Sequence, residues 1–225
     1  MALRLVEMEP DTPYEFICTP TKNELPEMTT HWNHLEELLG QPLVRINSGL
    51  SLIGIIASQK TIPNWRMRFC TRMLKLEPFQ TYMMEAMPCT SYVGIRADEV
   101  EDREGVKDWG DERITPRFPL VEWGWGLGDV MWYLEKREVV IPKRTDCALC
   151  FFQTLGEWHT LWLEHPNLYE QGVIIESYLK HTFRSAQRDS HPAALKDLRA
   201  EFEGGYIPKV QTMKDRPMMC SVCAR

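Results

Sequence analysis

Short apolar, β-rich runs alternate with amphipathic stretches through the first 140 residues of the chain. The runs Tyr14–Thr19, Leu43–Ile46 and Ser91–Ile95 predict strands. Between the first two, residues 26–39 predict a helix, with Pro26 suited to the first helical position and Gly40 to the stop. Its Met28, Trp32, Leu35 and Leu39 recur at helical spacing and are expected to face the core. Residues 2–9 read as the last turns of a helix ended by Pro10, and a short helix is expected over 52–57. Residues 70–76 and 78–86 predict two helices that Pro78 breaks apart. Further helices are predicted over 127–137, 155–164, 167–180 and 193–203, the last closed by Gly204 and Gly205. The expected fold is therefore α/β, a mostly parallel sheet with helices on both faces. Residues 1–140 form its core, and residues 141–225 a helical, cysteine-bearing C-terminal extension.

A length of 225 residues suffices to bury a full hydrophobic core, and 44% hydrophobic with 26% charged residues is an ordinary globular composition. No apolar run approaches the roughly 20 residues needed to cross a bilayer, so no membrane partner is expected. The opening MALRLVEMEP carries Glu7 and Glu9 where a signal peptide is apolar, which predicts a cytoplasmic chain. A net charge of −6 argues against a broad nucleic-acid coat but not against a pocket for a small anion. Cations cluster at Arg66, Arg68, Arg72 and Lys75, at Lys143 and Arg144, and at Arg184 and Arg188.

Seven cysteines in a cytoplasmic chain do not read as a disulfide framework. Cys147 and Cys150 form one C-x-x-C and Cys220 and Cys223 a second, while Cys70 stands alone in a basic segment. Two such pairs supply four thiolates, enough for tetrahedral zinc or an iron–sulfur cluster. The alternative is a set of buried thiols and an irregular tail. Cys18 and Cys89 read as structural. In the segment WRMRFCTRMLK, residues 65–75, cations surround one thiol and would lower its pKa or hold an anionic group. A solvated basic helix face is the plainer reading of the same pattern. The loop EWGWGLGD, residues 122–129, lacks the spacing of a dinucleotide fingerprint and leads into a helix. Trp158, Trp162 and Tyr169 read as packing residues.

Five segments in order resemble the phosphoadenosine phosphosulfate reductase family of the adenine nucleotide alpha hydrolase-like, PP-loop superfamily. Thr21 to Glu27, TKNELPE, is similar to that family's T-G-x-E-x-P-E strand end, with Lys22 where glycine is usual. Cys70 to Pro78, CTRMLKLEP, resembles its Cys-Cys-x-x-x-Lys-x-x-Pro segment, with Thr71 in place of the second cysteine. YVGIRADE at residues 92–99 resembles its Gly-x-Arg strand end. PLVEW at 119–123 followed by DVMWYL at 129–134 resembles a further stretch, and CALC falls where the family keeps a C-x-x-C. The likeness is greatest to divergent members carried by phage and mobile elements.

The resemblance implies an oxidoreductase of sulfate assimilation acting on an adenine nucleotide or sulfonucleotide, with a thioredoxin-type reductant and room for a homodimer. It assigns Cys70, Cys147 and Cys150 to a four-iron four-sulfur cluster, with Cys223 as fourth ligand and zinc as the alternative metal. Thr21, Glu24, Arg68, Arg72 and Arg96 fall to nucleotide binding, Arg96 at the sulfate or phosphate end. The family's terminal E-C-G-x-H nucleophile is lacking, which leaves Cys220 or Cys223 as the candidate. Its S-G-G-x-D-S phosphate loop and first strand also have no counterpart. Met1 to Glu7 resembles the helix that follows that loop, so Met1 is expected to be an internal methionine with the start some tens of residues upstream. A sheet without that strand would expose unpaired edges on both neighbours. Two other functions are open: ATP-dependent adenylation or sulfur transfer, as in nucleic-acid sulfur modification, and a catalytically inactive, metal-stabilised binding module.

Overall fold

The computed structural model of the chain describes residues 1–101, 108–142 and 144–209. Cys220 and Cys223 lie outside the described residues, as does Lys143. The fold is mixed α/β with short parallel strands. β1 (Phe16–Cys18) pairs in parallel with β2 (Leu43–Arg45), Phe16 facing Leu43 across the ladder. β3 (Cys89–Tyr92) pairs in parallel with β4 (Ile114–Arg117), Cys89 facing Ile114. In place of the single sheet expected, the described strands make two separate pairs. Every residue of β1 is only half-buried, whereas a parallel strand paired on both sides and covered on both faces is buried along its length. The pairs meet through Tyr14 and Tyr92, edge to face at 5.4 Å between centroids.

β3 starts two residues before the predicted Ser91, because the Cys89 amide already bonds to the Arg113 carbonyl. β4 is not read from ITPR, since Pro116 interrupts the pattern; an edge strand tolerates it because the missing donor costs no ladder bond there.

α1 (Ala2–Met8) is tied to α7 (Leu127–Lys136), which follows the short α6 (Pro119–Glu122), by Glu7, which accepts from the Tyr133 hydroxyl at 2.9 Å and from Arg137 at 2.8 Å. α2 (Pro26–Leu39) begins at its proline and stops at Gly40, whose φ of +69° suits glycine. Of its four predicted core residues only Met28 is fully buried; Trp32, Leu35 and Leu39 are half-buried because α2 packs chiefly on α1 and β2. The break predicted at Pro78 does not occur. α4 (Phe69–Thr71) passes through a π turn at Arg72–Leu76 directly into α5 (Glu77–Glu85). There the Glu77 amide reaches back to the Arg72 carbonyl, and Pro78 falls at the start of a new register where its missing N–H is harmless.

The main core joins α3 (Leu52–Gln59) to α8 (Leu155–Glu164), α9 (Pro166–Leu179) and α10 (Leu195–Glu203). Trp158 and Tyr169 are buried in it, as the aromatic pattern suggests. Ala148 and Leu149, the two residues between Cys147 and Cys150, have no solvent exposure at all. Burial of a leucine side chain is worth about 2 kcal/mol, so the C-x-x-C turn is anchored from beneath by its own middle residues. Among the described residues, no helix is long and apolar enough to cross a membrane.

Candidate thiol site

Cys70 reaches the site from α4, at the N-terminal side of the π turn; such turns concentrate where a helix must re-aim side chains. Cys147 and Cys150 come from the turn that precedes α8. That turn is closed by the Cys150 amide on the Cys147 carbonyl at 3.2 Å and the Gln153 amide on the Cys150 carbonyl at 3.2 Å. Thr154 then caps α8, exchanging hydrogen bonds with Glu157. Cys70 and the C-x-x-C pair, distant from it in sequence, line one small cavity with Thr21, Thr71, Lys75, Phe151 and Phe152.

The segment Thr21–Glu24 locks onto the C-x-x-C turn. Lys22 takes a left-handed φ of +58°, the conformation that favours glycine, at the position where the resembled motif has one. This bend lets the Glu24 carboxylate accept from the Thr21 hydroxyl at 2.7 Å and the Asn23 amide at 3.1 Å. Asn23 in turn holds the cysteine turn: its carbonyl accepts from the Ala148 amide at 2.6 Å and its side chain from the Leu149 amide at 3.0 Å. Arginines clamp the far side. Arg144 donates to the Cys147 carbonyl and to Gln153, and Arg188 donates to the carbonyls of Phe151 and Phe152 at 3.1 and 3.0 Å.

Polar groups lie beside each sulfur. The Thr21 hydroxyl lies 3.1 Å from the Cys147 sulfur. Thr71 at Cys70 and the Phe152 backbone at Cys150 also favour the thiolate. Lys75 and Arg68 favour the thiolate at Cys70, Lys75 at Cys147, and Arg144 at Cys150. Burial nonetheless outweighs these groups and pushes all three thiols up from their ordinary value. The expectation of a lowered Cys70 pKa is thus corrected: the cations surround the thiol, but removal from water dominates. Neutral, buried thiols are poor nucleophiles. Thiolates are instead the ligand type that zinc and iron–sulfur clusters take, and the charge of a bound metal would compensate the burial. Among the described residues, no three His, Cys, Asp or Glu side chains converge on one point as ligands of a single ion.

The residues assigned to nucleotide binding divide. Thr21 joins the thiols, and Arg68 lies beside them with its guanidinium 5.6 Å above the Phe152 ring. Glu24 lines a separate cavity of about 570 Å³, with Lys22, Asn23, Trp32, His165 and Gln171 among its walls. Arg72 is exposed and bonded to Glu77 at 2.7 Å. Arg96 lines neither cavity. Its guanidinium is engaged by Asp98 and by the buried Glu99, both at 2.9 Å, while Asp98 accepts from the Leu127 amide at the start of α7. Asn23, Phe151, Phe152 and Gln153 were not expected at the site; only their adjacency to the motif cysteines and to Glu24 could have marked them. Comparison with family models, curated proteins and solved structures returns no match.

Proposed function

We propose that the chain is a sulfonucleotide reductase-like enzyme of the phosphoadenosine phosphosulfate reductase family, in which Cys70, Cys147 and Cys150 hold a four-iron four-sulfur cluster with Cys223. The observation that carries this reading is the cavity shared by Cys70 and the Cys147/Cys150 pair, far from it in sequence, closed by the Thr21–Glu24 segment of the same motif series. The left-handed Lys22 supports it further. The finer fold proposed is the adenine nucleotide alpha hydrolase-like sheet, supported by the parallel pairing of both strand pairs among the described residues.

Cys70 and the C-x-x-C turn would hold the cluster, which when bound would supply a charged, redox-capable group at the cavity. The protein's own groups do the rest. Arg68 and Lys75 set positive charge beside the thiols, where it stabilises an anionic substrate and the charge growing on its leaving group. With Cys223 on the cluster, the thiolate of Cys220 attacks the sulfuryl sulfur of the substrate; were Cys220 the fourth ligand, Cys223 would take that role. The bond from that sulfur to the phosphate oxygen breaks, and the nucleotide phosphate departs with the electron pair, leaving a cysteine S-sulfonate. A thioredoxin-type dithiol then attacks the cysteine sulfur; sulfite leaves and the dithiol becomes a disulfide after a second thiol exchange, having supplied both electrons.

Anaerobically prepared protein, given phosphoadenosine phosphosulfate and reduced thioredoxin, is expected to release sulfite and adenosine bisphosphate in equal amounts. Conversion of ATP to pyrophosphate with no sulfite from either sulfonucleotide would replace this reading with adenylation.

A further inference from the structure

Residues 60–76 contain Lys60, Arg66, Arg68, Arg72 and Lys75 and no acidic residue, in a chain of net charge −6. Within this stretch a turn projects an aromatic side chain into solvent. Ile62 and Pro63 are buried and anchor it. The Asn64 side chain accepts from the amides of Arg66 and Met67 at 2.9 and 3.0 Å, and the Asn64 amide bonds to the Met67 carbonyl at 3.2 Å. The tip so fixed holds Trp65 60% and Met67 47% exposed. The Arg66 guanidinium lies 4.5 Å from the centroid of the Trp65 ring. From this tip the chain runs past Arg68, above Phe152, to Cys70 at the thiol cavity.

We propose that this turn is a docking surface for single-stranded nucleic acid, with a base stacked on Trp65 and phosphates on Arg66 and its neighbouring cations, leading the strand toward the thiol site. Stacking on an exposed aromatic beside a track of cations is how strands are held without sequence preference. A free nucleotide fits less well. Trp65 lines neither cavity, and a small ligand needs enclosure on most of its surface, whereas a strand gathers affinity from successive units. The inference does not depend on sulfonucleotide reduction, since it concerns binding at a different surface.

The test is fluorescence anisotropy of the full chain with a labelled oligothymidylate of roughly 12 nucleotides, a length within ordinary strand site sizes. Binding is expected at about 50 mM salt, with log affinity falling about 0.7 per phosphate contacted as log salt rises, hence a slope near −2 for three contacts. Trp65→Ala is expected to weaken binding roughly 5- to 150-fold, the range for loss of one base stack, while Trp65→Phe keeps most of it. Arg66→Ala is expected to flatten the salt slope by about 0.7. Trp65 is exposed, so both of its variants should melt as the wild type does. Absence of binding at low salt overturns the proposal, as does wild-type affinity in Trp65→Ala. Equally tight binding of duplex, or displacement of the oligomer by an equal concentration of adenosine 3′,5′-bisphosphate, also overturns it.

Discussion

Gly172 on α9 is the position where the packing beneath the thiol site is most exposed to test. A Cβ built there would lie 2.8 Å from Leu195 Cδ1 and 2.9 Å from Leu149 Cδ2, both under any normal carbon–carbon contact. Neither leucine has any solvent exposure, so neither can swing away without displacing other core atoms. Gly172→Ala would gain about 1 kcal/mol of helix propensity. Against this, overpacking a filled core costs about 1–3 kcal/mol, and two contacts under 3.0 Å put this site at about 2–3 kcal/mol. The net expectation is a loss of about 1–2 kcal/mol, which lowers the urea midpoint by roughly 0.5–1 M at an unchanged denaturant slope. Because Leu149 lies between Cys147 and Cys150, the strain should also reach the turn that carries the thiols. Faster labelling of the cysteines in native Gly172→Ala by a thiol reagent is therefore expected. Alanine at the exposed Ile174 of the same helix is the control and should shift stability by less than about 0.5 kcal/mol. A Gly172→Ala protein as stable as wild type, or more so, would refute this packing account.

Two other perturbations follow from the same geometry. Lys22→Gly relieves a left-handed residue, worth about 1–2 kcal/mol, at an entropic cost of about 0.5–1 kcal/mol, and is expected to raise the melting temperature slightly; a marked drop would contradict it. Glu176 is buried and accepts from the amides of Phe183 at 2.8 Å and Leu195 at 2.6 Å, yet burial pushes its carboxyl up to about 7. The folded chain then binds more protons than the unfolded one between the ordinary carboxyl value and pH 7. Its contribution is fully present below about pH 4.5 and is lost as pH rises through 7, by roughly 3 kcal/mol at most. Urea midpoints are expected to fall across that window in the wild type and to stay flatter in Glu176→Gln; parallel curves would contradict this assignment.

What could be read in the sequence was local. The approximate places of β1 to β3, the Pro26 and Gly40 boundaries of α2, and the C-terminal helices follow from short-range rules of capping and periodicity. The break expected at Pro78 fails because a π turn shifts the helical register ahead of it, an adjustment with no signature in composition. β4 escapes because its proline is harmless only at an edge, and edges are a property of the assembled sheet. At the site, the cysteine spacings and the Thr21–Glu24 motif were legible, but their chemistry was only half so. Four nearby cations suggested an acidic thiol, and the competing desolvation cannot be known before burial is known. Likewise Arg96 looked free for an anion, whereas Asp98 and Glu99, two and three residues on, fold back onto it. Asn23 and Arg188 were invisible as site residues, since each acts through backbone groups that only the fold brings within reach.

Iron, zinc and acid-labile sulfide per chain, measured on anaerobically prepared wild type and on the three single Cys→Ser variants at positions 70, 147 and 150, test the central claim most directly. The account predicts about four irons and four sulfides in the wild type, with absorbance near 400 nm, and loss of all of it in each variant. Metal that survives Cys70→Ser undiminished, or a wild-type chain that takes up neither iron nor zinc, would contradict it.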